Sequence, residues 1–159
     1  MKIYQNYYFY KNKKKARYDI GGLQSKMGDY HFLEVVHDYI QWMFPNHYGS
    51  AFNSSSVPLG YTEAYLFLRE NDIGITLLRS IYIFFDFMGI RLNLQTLKLT
   101  ICCRKRLEDV ILVNFHNHLR IMRILACLSV TGFRRLALNL VDFLDVHTSS
   151  KGILSKERR

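Results

Sequence analysis

Proline and cysteine are both scarce in this chain. Two prolines and nine glycines in 159 residues exclude the collagen-like and proline-rich linker classes. Three cysteines, Cys102, Cys103 and Cys127, cannot all pair within one chain, and adjacent Cys102 and Cys103 bond to each other only with strain. No Cys-x-x-Cys and no zinc-finger spacing of Cys and His occurs, so reduced thiols of an intracellular protein are expected. No long apolar run is free of charge. The most apolar stretch, residues 73–90, contains Arg79 and Asp86, each costing roughly 2.5–3.5 kcal/mol near a bilayer centre. A buried core helix explains it better than a transmembrane helix. The first ten residues are aromatic but interrupted by Lys2, Gln5 and Asn6, which does not read as a secretory leader. Also missing are G-x-S-x-G, the P-loop and the Rossmann glycine pattern. Without a nucleophile arranged beside a base, the chain is read as no enzyme, and no cofactor is implied.

What is present is globular in composition. Apolar residues make up 49% and charged residues 22%, and the length suffices to bury a core without metals or disulfides. The net charge of +9 sits at the ends. Residues 1–28 carry seven Lys/Arg against one Asp, and residues 148–159 carry four against one Glu. Residues 29–147 carry eleven of each sign. A neutral body with basic ends argues against a nucleic-acid domain and leaves, at most, weak binding through the ends.

Residues 1–28 therefore read as a basic tail. Lys11, Lys13, Lys14, Lys15 and Arg17 form a charge run that should stay solvated, and it is the candidate nuclear-import signal or weak phosphate-binding arm. A first helix is expected from Asp29, an N-cap, with Leu33, Val36, Ile40 and Met43 on one face and Pro45 as its stop. Residues 46–60 read as a loop. A short helix over 62–69 capped by Thr62, and a long one capped by Asp72 and closed by Gly89, follow. The long helix carries two apolar faces, Ile75-Leu78-Tyr82-Phe85 and Leu77-Ile81-Phe84-Met88, as a central helix should. Residues 91–103 read as irregular or helical, because a lone strand has no partner. Helices over 104–115, from Asn117 to Val130 with a stop at Gly132, and from Phe133 onward complete the chain. In the last, Arg134 and Arg135 come early and Asp142 and Asp145 late, against the helix dipole, which suggests tertiary partners. The fold expected is all-α, a single compact bundle of five to six helices over 29–147. Basic ends at 1–28 and 148–159 are expected to be disordered.

Three residue groups carry candidate chemistry. His116-Asn117-His118 lacks a third ligand, so capping and packing are expected and no metal. His37 lies on the apolar stripe and reads as a core-edge histidine; Trp42 reads as a core anchor. Arg120 and Arg123, three residues apart, present two guanidinium groups that either hold a carboxylate or phosphate or close ion pairs with Asp38 or Asp86.

Taken together the motifs resemble a known family. Residues 37–45, HDYIQWMFP, resemble the HDFIQWLFP signature of the opioid growth factor receptor conserved domain. Leu78-Arg79-Ser80 and then residues 86–92, DFMGIRL, resemble its LRS…LDFYGLRL segment. Residues 116–125, HNHLRIMRIL, resemble its HNxLRITRIL motif, with Met122 in place of threonine. The order also matches, over about residues 29–147. The resemblance implies a receptor for the pentapeptide Met-enkephalin, unrelated to seven-helix opioid receptors. It also implies a nuclear and perinuclear setting, with possible peripheral membrane association, and a restraining role in proliferation. Such a peptide offers an ammonium, a carboxylate and two aromatic rings. By residue type Asp38 or Asp86 would meet the ammonium, Arg120 or Arg123 the carboxylate, and Trp42, Phe44 or Tyr82 would line a groove. The competing reading is a helical protein-interaction scaffold of nucleus or cytoplasm with no peptide ligand. Nuclear-import or other proteins are further expected partners.

Overall fold

The computed structural model describes residues 3–48 and 56–148. The chain is mostly helical, as expected, but the helices among the described residues are more numerous and shorter than the sequence pattern predicts. In order they are α1 (Gln5–Tyr10), α2 (Ile20–Gln24), α3 (Tyr30–Val35), α4 (Ile40–Met43), α5 (Tyr61–Arg69), α6 (Asn71–Phe87), α7 (Arg104–Leu107), α8 (His116–Val130) and α9 (Arg134–Thr148). A hairpin of β1 (Ile90–Leu92) and β2 (Leu99–Ile101) follows α6, and a π-helical turn over Glu108–Val113 continues α7. All but the first residue of the expected C-terminal tail lies outside the described residues.

α6 is the axis of the molecule. Leu77, Ile81, Phe84 and Phe85 are fully buried, and α1, α2, α3, α5 and β1 all pack against this helix. Gly89 closes it with φ +79°, the left-handed conformation that glycine adopts without a Cβ penalty. A Cβ there would collide with the carbonyl oxygen of Cys103 and stand 2.8 Å from the Leu107 nitrogen. The Gly89 carbonyl in turn accepts the N–H groups of Cys102 and Cys103 at 2.9 and 3.2 Å, locking the hairpin onto the end of α6. Of the two apolar faces expected to be central, that of Leu77, Ile81, Phe84 and Met88 is fully buried. The second face is covered only in part: Phe85 is buried, but Ile75 is 57% exposed and Leu78 half-buried.

Residues 1–28 are not the solvated tail that their charge predicts. Phe9, Tyr10, Ile20 and Leu23 are buried. Phe9 packs on Trp42 with ring centroids 5.2 Å apart, and the Tyr10 hydroxyl donates to the Met43 carbonyl. Burial raises the Tyr10 hydroxyl well above its usual pKa. Glu63, itself buried, accepts from the Gly60 N–H at 3.1 Å and from the Tyr7 N–H at 2.9 Å. One carboxylate thus satisfies orphan N–H groups at the start of both α5 and α1. Two of the charges that suggested a tail find carboxylates: Lys11 Nζ lies 2.8 Å from Asp72 and 3.4 Å from Glu70, and Arg17 lies 3.1 Å from Asp38; Lys13 and Lys15 stay exposed.

Two local readings are corrected. The helix expected from Asp29 to Met43 is two helices. Asp29 does cap α3, accepting the Phe32 N–H at 3.1 Å, but Val36 is extended and the chain restarts as α4. Residues 91–103, read as irregular or helical, hold most of a two-stranded hairpin. Ile90 pairs with Ile101 and Leu92 with Leu99, so the strand finds its partner inside its own segment. Asn93 turns the hairpin by accepting the N–H groups of Gln95 and Thr96, each at 2.9 Å.

Candidate functional site

Arg120 explains the break in the first predicted helix. It is 5% exposed and reaches from α8 to the C-terminal end of α3. Its guanidinium donates to the carbonyls of Leu33 at 2.6 Å, Glu34 at 3.3 Å and Val36 at 2.8 Å. The Tyr39 hydroxyl adds a second bond to Leu33 O at 2.6 Å. These are carbonyls that a terminating helix leaves unpaired. The planar fork of an arginine serves several of them at once.

Around Arg120 the HDY segment of residues 37–39 meets the HNH segment of residues 116–118. Arg120 Nη2 lies 3.2 Å from His37 Nδ1. Since a guanidinium only donates, His37 accepts there and carries its proton on Nε2. His37 is exposed rather than at the core edge; partial desolvation of its ring, then the charges of Arg120 and His116, lower its pKa. His116 lies 3.6 Å from the Glu34 carboxylate, with its ring 5.6 Å from that of His37. Asn117 is not the N-cap expected of it. It lies in the first turn of α8, fully buried, and donates to Val110 O and to Glu34, each at 3.1 Å. His118 approaches Ile111 O at 2.7 Å. The first turn of α8 thus satisfies the carbonyls of the preceding π-helical turn. No group of three or more metal-ligating side chains with suitable geometry occurs among the described residues.

Asp86 forms a second internal node. It accepts from the Tyr30 hydroxyl at 2.8 Å and lies 3.7 Å from Arg106 Nη2. Arg106 also donates to the Asp86 carbonyl at 3.1 and 3.3 Å and lies 4.3 Å over the Tyr30 ring. The charged partner of Asp86 is therefore Arg106, which lies outside the three motifs.

These contacts relocate the residues singled out for peptide contact. Trp42 is a core anchor, 3% exposed, with Phe9 on one side and Lys14 Nζ 5.8 Å from its ring. Phe44 is likewise fully buried. Arg120 serves backbone carbonyls rather than a ligand carboxylate or an ion pair with Asp38 or Asp86. Asp86 is occupied by Tyr30 and Arg106, and Asp38 lies at Arg17. Arg123 is half-buried. The structure does not gather Asp38, Trp42, Asp86, Arg120 and Arg123 into one site.

An open concavity lies elsewhere. A cleft of about 430 Å³ runs between the α5–α6 corner and the α8–α9 turn. Phe67, Leu68, Ile75, Leu78 and Phe133 wall it, with Glu70 at its edge. Gly132 closes α8 with φ +97°, and its missing Cβ leaves room for Leu68, whose Cδ2 would stand 2.9 Å away. Glu70 accepts from the Tyr7 hydroxyl at 2.9 Å, and that bond, with burial, raises the Tyr7 pKa. Beside it the ε-ammonium of Lys11 bridges Glu70 and Asp72, and the hydrogen bond from Lys11 lowers the Asp72 pKa. Beyond Phe133, Arg134 and Arg135 are exposed at the start of α9. Sequence reading missed this cleft because Ile75 and Leu78 fit a core pattern. The signal for it was the surplus: two apolar faces on one helix, one of which the remaining chain does not fully cover.

Comparison with known proteins gives a consistent picture. The model of the opioid growth factor receptor conserved region matches residues 1–157, which includes residues 1–28 and most of 148–159, the ends read as tails. A human protein named opioid growth factor receptor is 33% identical over 126 residues, covering 76% of this chain and 18% of that receptor. The chain therefore corresponds to a small part of that relative's length. No solved structure matches.

Proposed function

Since this chain belongs to the family of the opioid growth factor receptor conserved region, we propose that it is a non-enzymatic domain binding an enkephalin-type opioid peptide, and that the peptide lies in the cleft between the α5–α6 corner and the α8–α9 turn. The observation that carries this reading is the chemistry of that cleft. Its volume of about 430 Å³ falls in the range of small-molecule sites, which are mostly apolar with a few placed polar groups. The walls of Leu68, Ile75, Leu78 and Phe133 suit the aromatic rings of such a peptide. At one edge stands the Glu70 carboxylate, which with Asp72 already holds one amine, the Lys11 ammonium. A peptide ammonium would meet Glu70 there. Beyond Phe133, the exposed Arg134 and Arg135 stand at the positive end of the α9 dipole, where a carboxylate terminus is favoured.

Calorimetric titration of the full chain with Met-enkephalin, its N-acetyl form, its C-terminal amide and a scrambled pentapeptide tests this directly. The free peptide should bind saturably. Removing either terminal charge should weaken binding about tenfold, and Ile75→Asp should abolish it in a protein that stays folded. Equal binding of the scrambled peptide, or no heat at all, would contradict the reading.

The same proposal gives the domain a role in growth regulation from the nucleus and perinuclear cytoplasm. Lys13 and Lys15, exposed between the ion-paired Lys11 and Arg17, are the part of the basic run open to an import protein. A fluorescent fusion carrying Lys13→Ala and Lys15→Ala should lose nuclear enrichment; unchanged nuclear signal would remove the run from import. Among the described residues no helix is long and apolar enough to cross a membrane.

A further inference from the structure

α8 buries one face and leaves the opposite one bare. Ile121, Ile124 and Leu128 are in the core, while Phe115, Leu119 and Met122 are 61%, 65% and 65% exposed. Steps of four and three residues put these three on one stripe, and exposed Val113 precedes them. Single exposed apolar residues need no explanation. Phe115 at the N-cap of α8, in line with Leu119 and Met122 on the helix, is the pattern of a helix that docks through anchors at i, i+4 and i+7.

Arg123 gives that stripe a charge preference. It follows Met122 directly and stands one turn from Leu119. Its Nε–H is buried with no hydrogen-bond acceptor, whereas buried donors are ordinarily paired. Burial lowers its pKa, the mark of a guanidinium partly stripped of water without a counter-charge to compensate. The Nη groups of half-buried Arg123 are not among the buried unpaired atoms; a partner that covers the stripe and brings a carboxylate to them would supply the guanidinium with a counter-charge. A second copy of the chain would bring another +9 against it. None of these residues lines the cleft.

We infer that the Phe115–Leu119–Met122 face of α8 is a docking surface for an acidic amphipathic helix of a partner protein, whose apolar residues lie on the stripe and whose carboxylate pairs with Arg123. The pairing would be charge-assisted and, in an arginine–carboxylate fork, bidentate.

The test uses the full chain and two short, helix-stapled, fluorescein-labelled peptides. Both carry leucines at i, i+4 and i+7; one is flanked by glutamates and its twin by lysines. Anisotropy should show saturable binding of the glutamate peptide, with the lysine twin weaker by about tenfold or more. Leu119→Ser and Met122→Ser should each weaken the glutamate peptide about tenfold. Arg123→Glu should invert the preference between the twins. All three variants sit at exposed or half-buried positions, and thermal unfolding checks that they fold. No saturation by either peptide, affinities unchanged in all three variants, or self-association that Leu119→Ser abolishes would each overturn the inference; the last would assign the face to a second copy.

Discussion

Arg120 shows how far a side chain's role is set by what it reaches. On the helix it looks like half of a ligand-binding pair with Arg123. In the fold it ends α3, 87 residues earlier, by occupying three carbonyls. Arg120→Met should leave those carbonyls without donors and destabilise the protein by about 3 kcal/mol or more, since buried polar groups that lose a charged partner carry the full desolvation cost. Arg120→Lys should recover little, because an ammonium lacks the planar fork. Denaturant unfolding measures both. His37 belongs to the same node. Its pKa is lowered in the fold, so the unfolded chain binds this proton at a higher pH than the folded one. Stability is fully present above the unfolded value of about 6.5 and falls as pH drops through it towards the folded pKa. Melting temperature should therefore decline below about pH 6.5. His37→Asn, whose side-chain oxygen can still accept from Arg120, should flatten that decline. An unchanged slope would remove His37 as its cause.

At the scale of elements, legibility followed the range of the interactions. Helices α6, α8 and α9 carry long 3.6-residue periodicity and were readable, as were the Asp29 cap and the glycines that close α6 and α8. The break between α3 and α4 was not, because its cause lies on α8. The hairpin was missed for a different reason: Leu92 and Leu99 fit an alternating pattern, but the turn made by Asn93 puts both strands in what looked like one segment. Asn117 has the residue type of a cap, yet is drawn inward by Val110 and Glu34. Gly89 is the element most exposed to a test. Gly89→Ala adds both a positive-φ penalty and a clash with the backbone at Cys103 and Leu107. It should cost well over the ~1 kcal/mol of an unstrained glycine replacement. Near-native stability of that variant would mean the hairpin does not dock as described.

For the whole molecule, the N-terminal segment is the main departure from the sequence reading. Charge counting favoured a tail; the aromatics at Phe9 and Tyr10 and the apolar Ile20 and Leu23 made it a layer over α6. Each such side chain contributes about 1.5–3 kcal/mol on full burial, while Lys11 and Arg17 find carboxylates on the body. A fragment beginning at Asp29 should accordingly lose cooperative unfolding or aggregate, and a fragment as stable as the full chain would contradict this layer. The candidate site was legible only in its chemistry. The need for an acid, a base and an apolar groove could be stated from the resemblance. The cleft itself could not be named, because Trp42, Asp86 and Arg120 are taken up by the fold, and the uncovered face of α6 cannot be told from a covered one by periodicity.

The measurement that bears most directly on the account is an amide chemical-shift titration of the isotopically labelled full chain with Met-enkephalin. The cleft reading predicts saturable shifts grouped at Phe67–Leu78 and Thr131–Arg135, with the amides around Trp42 and Arg120 little changed. Shifts grouped around Asp38, Asp86 or Arg123 instead, or a well-dispersed spectrum that does not respond, would contradict it.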